Sequence, residues 1–410
     1  MCRRINILYW LYQGGETGNC INDFEQDRKM IRISDKAGCC GCTACMNICP
    51  VQCIVMRRDR EGFDYPVANP DLCISCGKCE DVCPMSHTAD SAGPLLTLAA
   101  RTSQFMEKSS SGGVFPVLAS EVIAQGGTVY GAVLNPDLTV SHTDASDMQG
   151  VEKMRGSKYV QSELYASFEE VKYELSEGRQ VMFTGTPCQI AGLKSYIGKD
   201  EPDLLLVDCA CHGVPGPGLW EKYVKALSDR YGMLIKDVRF RDKDRSWRKY
   251  DFVVEGAERS IVTPHQKDPY MLLFLQDMTL RPSCYQCPFR NGGSGSDLTL
   301  ADLWNVAEVA PEMDDDKGVS LILVNTEKGR KAIAGLPVKE IDPLLALKRN
   351  GAFAQGVQVP QRREEFFQGL HSAKDLIGYM KGFVVRTPLH KKIYRSIHTM
   401  LSKIKRRILK

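Results

Sequence analysis

Two cysteine runs of identical spacing constrain this chain more than any other feature of its sequence. Each run reads C-x2-C-x2-C-x3-C-P, and the cysteines are Cys39, Cys42, Cys45 and Cys49, then Cys73, Cys76, Cys79 and Cys83. Three thiolates at this spacing wrap one face of a cubane, and in two-cluster ferredoxins the fourth cysteine of a run ligates the other cluster. The sequence therefore predicts two [4Fe-4S] clusters with crossed ligands: Cys39, Cys42, Cys45 and Cys83 for one, and Cys73, Cys76, Cys79 and Cys49 for the other.

The alternative metal for these runs is zinc, because C-x2-C pairs also hold that ion. Two complete four-cysteine runs, each ending in proline, favour clusters and therefore electron transfer. Cys40 and Cys53 lie outside the pattern, and we interpret both as small buried apolar residues.

The cysteine content also indicates the redox compartment. The 17 cysteines are an odd number, and most stand in C-x2-C steps, which suit cluster ligation better than disulfides. The chain of 410 residues is 43% hydrophobic and 25% charged, with a net charge of +3, so nothing indicates nucleic-acid binding. No apolar run is long enough to cross a bilayer. We expect a cytoplasmic protein that does not bind nucleic acid.

The length predicts two or three structural units. We expect an N-terminal extension (1–30), a dicluster ferredoxin-like domain (31–86), a linker (87–94), an α/β domain (95–390) and a basic tail (391–410). Residues 54–69 are typical of a hairpin. Beyond residue 95, strands at 129–134, 181–183, 204–207, 298–301 and 321–324 alternate with helices at 114–124, 164–175, 189–196 and 220–227. This alternation predicts an α/β fold with a mixed sheet.

The tail, residues 391–410, places apolar residues at helical spacing among lysines and arginines. It reads either as a surface helix that contacts anionic lipid or an acidic partner, or as a docked terminal helix with a solvated basic face.

Two polar stretches are candidates for cofactor binding. Ser111-Gly112-Gly113 leads into an apolar helix, whose N-terminus offers free N–H groups to a phosphate, although such a turn also serves only to cap a helix. Residues 155–162, with the sequence RGSKYVQS, supply charge near a cofactor ring or form an ordinary surface loop.

Four later cysteines follow predicted strands or form a pair. Cys188 comes just after a buried strand, with Thr186 as a helix N-cap and Pro187 at the first helical position, so the helix dipole is expected to favour its thiolate. Cys211 follows the next strand, and Cys284 and Cys287 form a C-x2-C pair. Because strand ends gather ligands at one edge of an α/β sheet, the four are expected to converge. The alternative is zinc at the pair, with the other two thiols buried and free.

Residues 95–350 resemble the beta subunit of coenzyme F420-reducing hydrogenase and the related formate and coenzyme F420 dehydrogenases. The matching stretches are SSSGGVF, VYGAV, GSKYVQS, FTGTPCQIAGL, DCACHGVPGP and CYQCPFRNGGSGSDLTLADLW. A ferredoxin-like front end is a common companion in this family, which also includes a plant hydroxymethyl-chlorophyll reductase. The resemblance implies FAD in the α/β domain and a third [4Fe-4S] cluster held by Cys188, Cys211, Cys284 and Cys287, with Cys209 spare. It implies flavin contacts at Ser111, Gly112, Gly113, Gly156, Ser157, Lys158 and Tyr159.

The expected function is an FAD- and iron–sulfur-dependent oxidoreductase. It passes electrons between ferredoxin or a partner subunit and a small two-electron substrate, coenzyme F420 or another acceptor. Lys158 is the candidate catalytic residue, since its charge would stabilise a reduced anionic flavin. His212, Arg241 and Arg245 are candidates for the acidic tail of coenzyme F420 that are no stronger than ordinary surface residues. The alternatives are a non-catalytic electron-transfer subunit and a redox-sensing iron–sulfur protein.

Overall fold

The computed structural model describes residues 29–87, 93–354 and 356–385. The expectations for residues 1–28, for the centre of the linker and for the basic tail lie outside these residues. The strands are β1 (Ile54–Arg58), β2 (Asp64–Ala68), β3 (Leu96–Ala100), β4 (Thr128–Leu134), β5 (Val140–Ala145), β6 (Val181–Gly185), β7 (Leu204–Cys209), β8 (Ile235–Asp242), β9 (Asp251–Gly256), β10 (Ser260–Pro264), β11 (Leu298–Asp302), β12 (Ser320–Val324) and β13 (Val338–Glu340).

The α-helices of the described residues are α1 (Ala44–Asn47), α2 (Lys78–Asp81), α3 (Val114–Ala124), α4 (Met148–Met154), α5 (Ser167–Ser176), α6 (Pro187–Ile197), α7 (Pro217–Tyr231), α8 (Pro269–Leu275), α9 (Val306–Val309), α10 (Glu327–Ala332), α11 (Pro343–Leu347), α12 (Gly351–Ala354), α13 (Arg363–Gly369) and α14 (Leu376–Phe383). Short 3-10 helices are formed by Lys36–Gly38, Pro84–Ser86, Pro282–Gln286 and Pro311–Met313. No helix in the described ranges is long and apolar enough to cross a membrane.

The cysteine-rich segment carries the predicted hairpin. Strands β1 and β2 pair antiparallel, with Ile54 opposite Ala68 and Arg58 opposite Asp64. The tip of the hairpin lies against the start of α7, where the Gly218 amide donates a hydrogen bond of 3.1 Å to the Gly62 carbonyl. A Cβ on Gly62 would lie 3.0 Å from the Gly218 Cα, and its φ of +88° is unfavourable for other residues. The close docking of the two segments therefore requires glycine here.

The larger unit is built on an eight-stranded mixed sheet in the order β13-β3-β12-β11-β7-β6-β4-β5. The four central strands, β11, β7, β6 and β4, run parallel, and the outer pairs are antiparallel. The mixed α/β architecture predicted from the sequence is confirmed. Parallel strands bring their carboxyl ends to one edge of the sheet, and the cysteines that follow β6 and β7 lie there.

A second lobe was not predicted from the sequence. Strands β8, β9 and β10 form an antiparallel sheet, and α7, α8, α13 and α14 contribute to the same core. This core is rich in buried aromatic rings, including Trp220, Phe240 and Phe366, and it also contains Phe63 and Tyr65 of the hairpin. Side chains of the cysteine-rich domain and of this lobe are therefore packed together in one hydrophobic core.

Most predicted elements appear with shifted ends. The predicted helix 114–124 matches α3. The helix predicted over 164–175 begins only at Ser167, because Tyr165 adopts a left-handed conformation with φ of 43° that an α-helix does not accept. Thr186 forms the predicted N-cap of α6, in a capping box with Gln189, and Pro187 occupies the first turn.

Candidate iron–sulfur and flavin site

Two cavities in the cysteine-rich domain are lined by the two predicted ligand sets. The inner cavity is lined by Cys39, Cys42, Cys45 and Cys83. The outer cavity is lined by Cys49, Cys73, Cys76 and Cys79. Each cavity thus takes three cysteines from one run and the fourth from the other, in the crossed arrangement that the spacing predicts.

Short helices and backbone amides position these thiols. Helices α1 and α2 carry Cys45 and Cys79, and each begins after a residue in a left-handed conformation, Thr43 and Gly77 respectively. The amide of Ile31 donates to the Cys79 Sγ at 3.2 Å. Such N–H···S bonds are among the factors that set the potential of an iron–sulfur cluster.

The inner cysteines are buried, and burial governs their protonation. Cys39, Cys42 and Cys45 are all largely inaccessible to solvent. Burial, followed by the proximity of Cys39, raises the pKa of Cys45 to about 12. A thiol in such a site stays protonated until a metal takes the place of the proton. Three buried thiols and the half-buried thiol of Cys83 around one cavity therefore fit a metal cluster.

A third cavity lies at the carboxyl edge of the parallel strands. It is lined by Cys188, Cys211, Cys284 and Cys287, and also by Cys40 and Cys209. Cys188 follows β6 in the first turn of α6, and Cys211 lies two residues beyond β7. The structure therefore brings together the four cysteines that were expected to converge.

The loop that carries Cys284 is tied directly to the loop that carries Cys211. Pro215 and Leu280 form an isolated antiparallel bridge. The next amide, that of Arg281, donates a hydrogen bond of 3.0 Å to the Val214 carbonyl. These backbone contacts fix the two halves of the ligand set relative to each other.

The expected effect of the helix dipole on Cys188 is wrong. A hydrogen bond with the Cys40 thiol and burial raise the pKa of Cys188 well above its usual range. The dipole of α6 does act on its first turn, where Cys188 lies, but burial among other thiols has the larger effect on the pKa. Cys40 is buried, as expected, but its thiol faces the third cavity.

The inner and third cavities share part of their walls. Cys40 and Met85 line both of them. Cys42 of the inner cavity also packs against α6, where a Cβ on Gly192 would lie 2.9 Å from the Cys42 sulfur. The two sites are therefore separated by single layers of side chains.

The three cysteine sets differ from the ligand set of a single metal ion. Among the described residues, no group of three or more His, Cys, Asp or Glu side chains is arranged to hold one metal ion. A cubane differs, since it is held by four thiolates spread over a cluster of irons rather than around one centre. The three sets of four cysteines fit that wider arrangement.

The two stretches expected to contact a flavin are in direct contact with each other. The amide and the hydroxyl of Ser157 donate to the Ser110 Oγ, at 2.8 and 2.9 Å. Gly112 packs closely on the large sheet, where a Cβ would lie 2.4 Å from the Ala100 carbonyl oxygen. Gly113 forms the N-terminal cap of α3, with φ of +82°. Both glycines are thus required by packing and turn geometry alone.

Lys158, the candidate catalytic residue, has its ammonium at the end of α4. It donates to the carbonyl oxygens of Lys153, Met154 and Arg155 at 2.9–3.0 Å. Burial lowers the pKa of Lys158 to about 7, whereas three acceptors at a helix C-terminus favour the charged form. Tyr159 stacks on Phe274 with ring centroids 4.7 Å apart.

The three basic candidates for an acidic substrate tail are each paired with a carboxylate. Arg241 donates to Asp302 at 2.6 Å, and Arg245 to Asp251 at 2.7 Å. His212 lies 2.7 Å from the carboxylate of Asp277. The charges of Arg241 and Arg245 are therefore already engaged within the protein.

Sequence reasoning missed two residues that link the cysteine sites. The Gln161 amide donates to the Cys40 carbonyl at 3.0 Å, and Arg281 donates to the Gln161 side chain at 3.0 Å. Arg281 also donates to Cys39, which is 242 positions away in the chain. Nothing in the local pattern around either residue indicates such contacts, because they depend on long-range packing.

Two segments of the chain match known protein families. Residues 38–86 match the 4Fe-4S dicluster domain. Residues 178–341 match the C terminus of the coenzyme F420 hydrogenase/dehydrogenase beta subunit. The binding of 4Fe-4S clusters by the cysteine-rich domain is supported by the first of these matches.

Individual relatives match over shorter lengths. "Ferredoxin 7Fe" of Hydrogenibacillus schlegelii is 49% identical over 43 residues, or 10% of this chain and 49% of that protein. "Ferredoxin" of Rickettsia felis is 33% identical over 75 residues, or 18% of this chain and 64% of that protein. The chain thus spans about half to two thirds of the length of these curated relatives.

A solved structure of the F420-reducing [NiFe] hydrogenase complex from Methanosarcina barkeri contains a similar chain. It is 16% identical, with a TM-score of 0.44, and the match covers 70% of this chain and 95% of that one. The family matches confirm the resemblance seen in the sequence: residues 38–86 are similar to the 4Fe-4S dicluster domain, and residues 178–341 to the C terminus of the coenzyme F420 hydrogenase/dehydrogenase beta subunit.

Proposed function

We propose that this chain is an iron–sulfur and flavin oxidoreductase that relays electrons through three [4Fe-4S] clusters. One observation carries the proposal: the four cysteines of each expected ligand set line one of three cavities, and the inner and third cavities share Cys40 and Met85. Electron transfer needs closely spaced centres, and this shared wall supports a path between the inner and third clusters. The crossed positions of Cys49 and Cys83 connect the inner and outer ligand sets.

The outer cavity is the point of entry for electrons. Cys76 is solvent-exposed, whereas most of the inner ligands are buried. Five exposed apolar side chains lie in the same domain, namely Val51, Val55, Val67, Leu72 and Ile74. Exposed apolar groups in one region favour contact with another protein, and weak redox encounters need only a small interface. The proposed partner is a ferredoxin or a redox subunit.

A flavin at the paired stretches would complete the relay. FAD supplies the exchange between one-electron centres and a two-electron substrate. The residues proposed to hold it are Ser111, Gly112, Gly113, Gly156, Ser157, Lys158 and Tyr159. The Ser110–Ser157 contact supports the proposal because it joins the two stretches. Gly156 is exposed, and a Cβ there would meet nothing within 4 Å, so its backbone is open to the approach of a ligand.

The same segment connects this site with the inner cysteines. Gln161 lies two residues after Tyr159, and its side chain donates to the Cys40 carbonyl. Lys158 would contribute charge rather than a direct hydrogen bond, since its ammonium is held by three carbonyls. The substrate is proposed to be coenzyme F420 or another small two-electron acceptor.

A second candidate function is electron transfer without flavin. It is favoured by the packing of Gly112 against Ala100 and Ser320, which explains that glycine without any ligand. In this case the clusters only connect partner proteins, and the α/β unit serves as the frame of the third cluster.

Cofactor content and flavin reduction separate the two functions. The chain is purified anaerobically, and its flavin is quantified and then challenged with dithionite-reduced ferredoxin and with reduced coenzyme F420. The proposal expects about one flavin per chain and its bleaching by at least one donor. Gly156→Trp would fill the space beside the flavin stretch. Gly178→Trp is the matched control, because that position is equally open and its φ of +73° is close to the +81° of Gly156. A chain that holds its clusters but no flavin would support the second function instead.

A further inference from the structure

Arg281 is a buried arginine that lies between the inner and third cavities. Only 1% of the surface of Arg281 is exposed to solvent. Its guanidinium donates to the Cys39 carbonyl at 2.8 Å and to the Asp64 carbonyl at 2.9 Å, and it lies 3.7 Å from the Cys39 sulfur. The same residue lines the third cavity, and Cys284 follows three positions later. One side chain thus contacts the surroundings of both candidate clusters.

This guanidinium has no carboxylate partner among the described residues. Its other neighbours are the Gln161 side chain and the ring of Tyr65, whose centroid lies 4.2 Å from the guanidinium carbon. A buried charge without an opposite charge is strongly unfavourable. Arg363, a second buried arginine nearby, is by contrast paired with both carboxylate oxygens of Glu61. The charge of Arg281 therefore requires a nearby anion, and no side chain among the described residues supplies one.

Thiolate-bound iron–sulfur clusters are anionic, because the charge of four thiolates and the sulfides exceeds that of the irons. We propose that Arg281 is the shared counter-charge of the inner and third clusters and raises the reduction potential of both. The inference rests on the proposed function, since it requires clusters in both cavities. Each reduction adds negative charge beside the guanidinium, so the positive charge stabilises the reduced form more than the oxidised form. Arg281 contacts Cys39 of the inner set and lines the third cavity, but it neither lines the outer cavity nor hydrogen-bonds to a cysteine of the outer set, so the outer cluster should be affected least.

The test is an anaerobic redox titration of the holoprotein, followed by electron paramagnetic resonance. Arg281→Met is expected to make reduction of the inner and third clusters at least tenfold less favourable, a shift of about 59 mV for one electron. Arg281→Lys, which keeps the charge, is expected to retain most of the wild-type potential. Arg363→Met removes a buried arginine that does not line the third cavity, and it should leave all three potentials in place.

Three outcomes would overturn the inference. They are unchanged potentials in a fully loaded Arg281→Met protein, an equal shift of the outer cluster, and a loss in Arg281→Lys as large as that in Arg281→Met. If the methionine variant fails to assemble, Arg281→Gln keeps an uncharged donor and replaces it in the titration. Iron in the wild-type protein is counted first. Wild-type protein without a third cluster refutes the proposed function. Three clusters whose reduction potentials do not change when Arg281 is replaced refute only this inference.

Discussion

Gly192 provides a sharp test of how closely α6 supports the inner cavity. A Cβ at this position would lie 2.8 Å from the Cβ and 2.9 Å from the Sγ of Cys42, and 3.4 Å from the ring of Phe168. Alanine in a helix interior is normally about 1 kcal/mol more favourable than glycine, whereas overpacking a closed core costs about 1–3 kcal/mol. Since Cys42 would be held by its cluster, it cannot rotate away from the new methyl group. Gly192→Ala is therefore expected to lose up to about 2 kcal/mol of stability.

The assay combines anaerobic chemical denaturation with iron and labile sulfide counts for the same preparation. The inner cluster should be lost first, because the clash falls on one of its ligands. Gly382→Ala in α14 is the matched control, since nothing lies within 4 Å of a Cβ there, and it should keep full iron and equal or greater stability. A Gly192→Ala protein as stable as wild type, with all of its iron, would refute the reasoning.

Three other substitutions test the cysteine assignment and a buried carboxyl group. Cys49→Ala is expected to lose the outer cluster. Cys53→Ala is expected to keep it, although the Cys53 thiol lies 3.5 Å from that of Cys49. Iron counts for the two variants would distinguish these outcomes. Burial raises the pKa of Asp208 to about 6 from 3.8, so the folded state holds a proton more tightly than the unfolded state does. Stability is therefore lost as pH rises from about 4 to 6, by about 3 kcal/mol. In Asp208→Asn, the free energy of unfolding should no longer fall over this pH range. If the wild-type and variant proteins gave parallel curves of unfolding free energy against pH, the assignment would be contradicted.

The cysteine-rich domain could be predicted closely because its order is local. Spacing within each run fixes which thiols meet, and the proline after Cys49 and Cys83 directs the fourth one away. The hairpin followed from alternating apolar residues between the runs. The same local logic predicted the convergence of Cys188 with Cys211, since both follow parallel strands.

The remainder depends on long-range packing that no local pattern encodes. The lobe of β8, β9 and β10 was missed, and register shifts at Asp237 and Asp242 interrupt the pairing of β8 with β9. Arg281 stands in an unremarkable stretch, and its importance arises from contacts with Cys39, 242 positions away. Cys40 was expected to be a passive buried residue, because sequence alone does not reveal that α6 approaches the first cysteine run.

The number of iron atoms per chain tests the central claim most directly. Iron, labile sulfide and zinc are measured after anaerobic reconstitution, in the wild-type protein and in Cys284→Ser. Three clusters predict about twelve iron atoms in the wild type and about eight in the variant. A wild-type count of about eight, or zinc bound in place of the last four irons, would contradict a third cluster at Cys188, Cys211, Cys284 and Cys287.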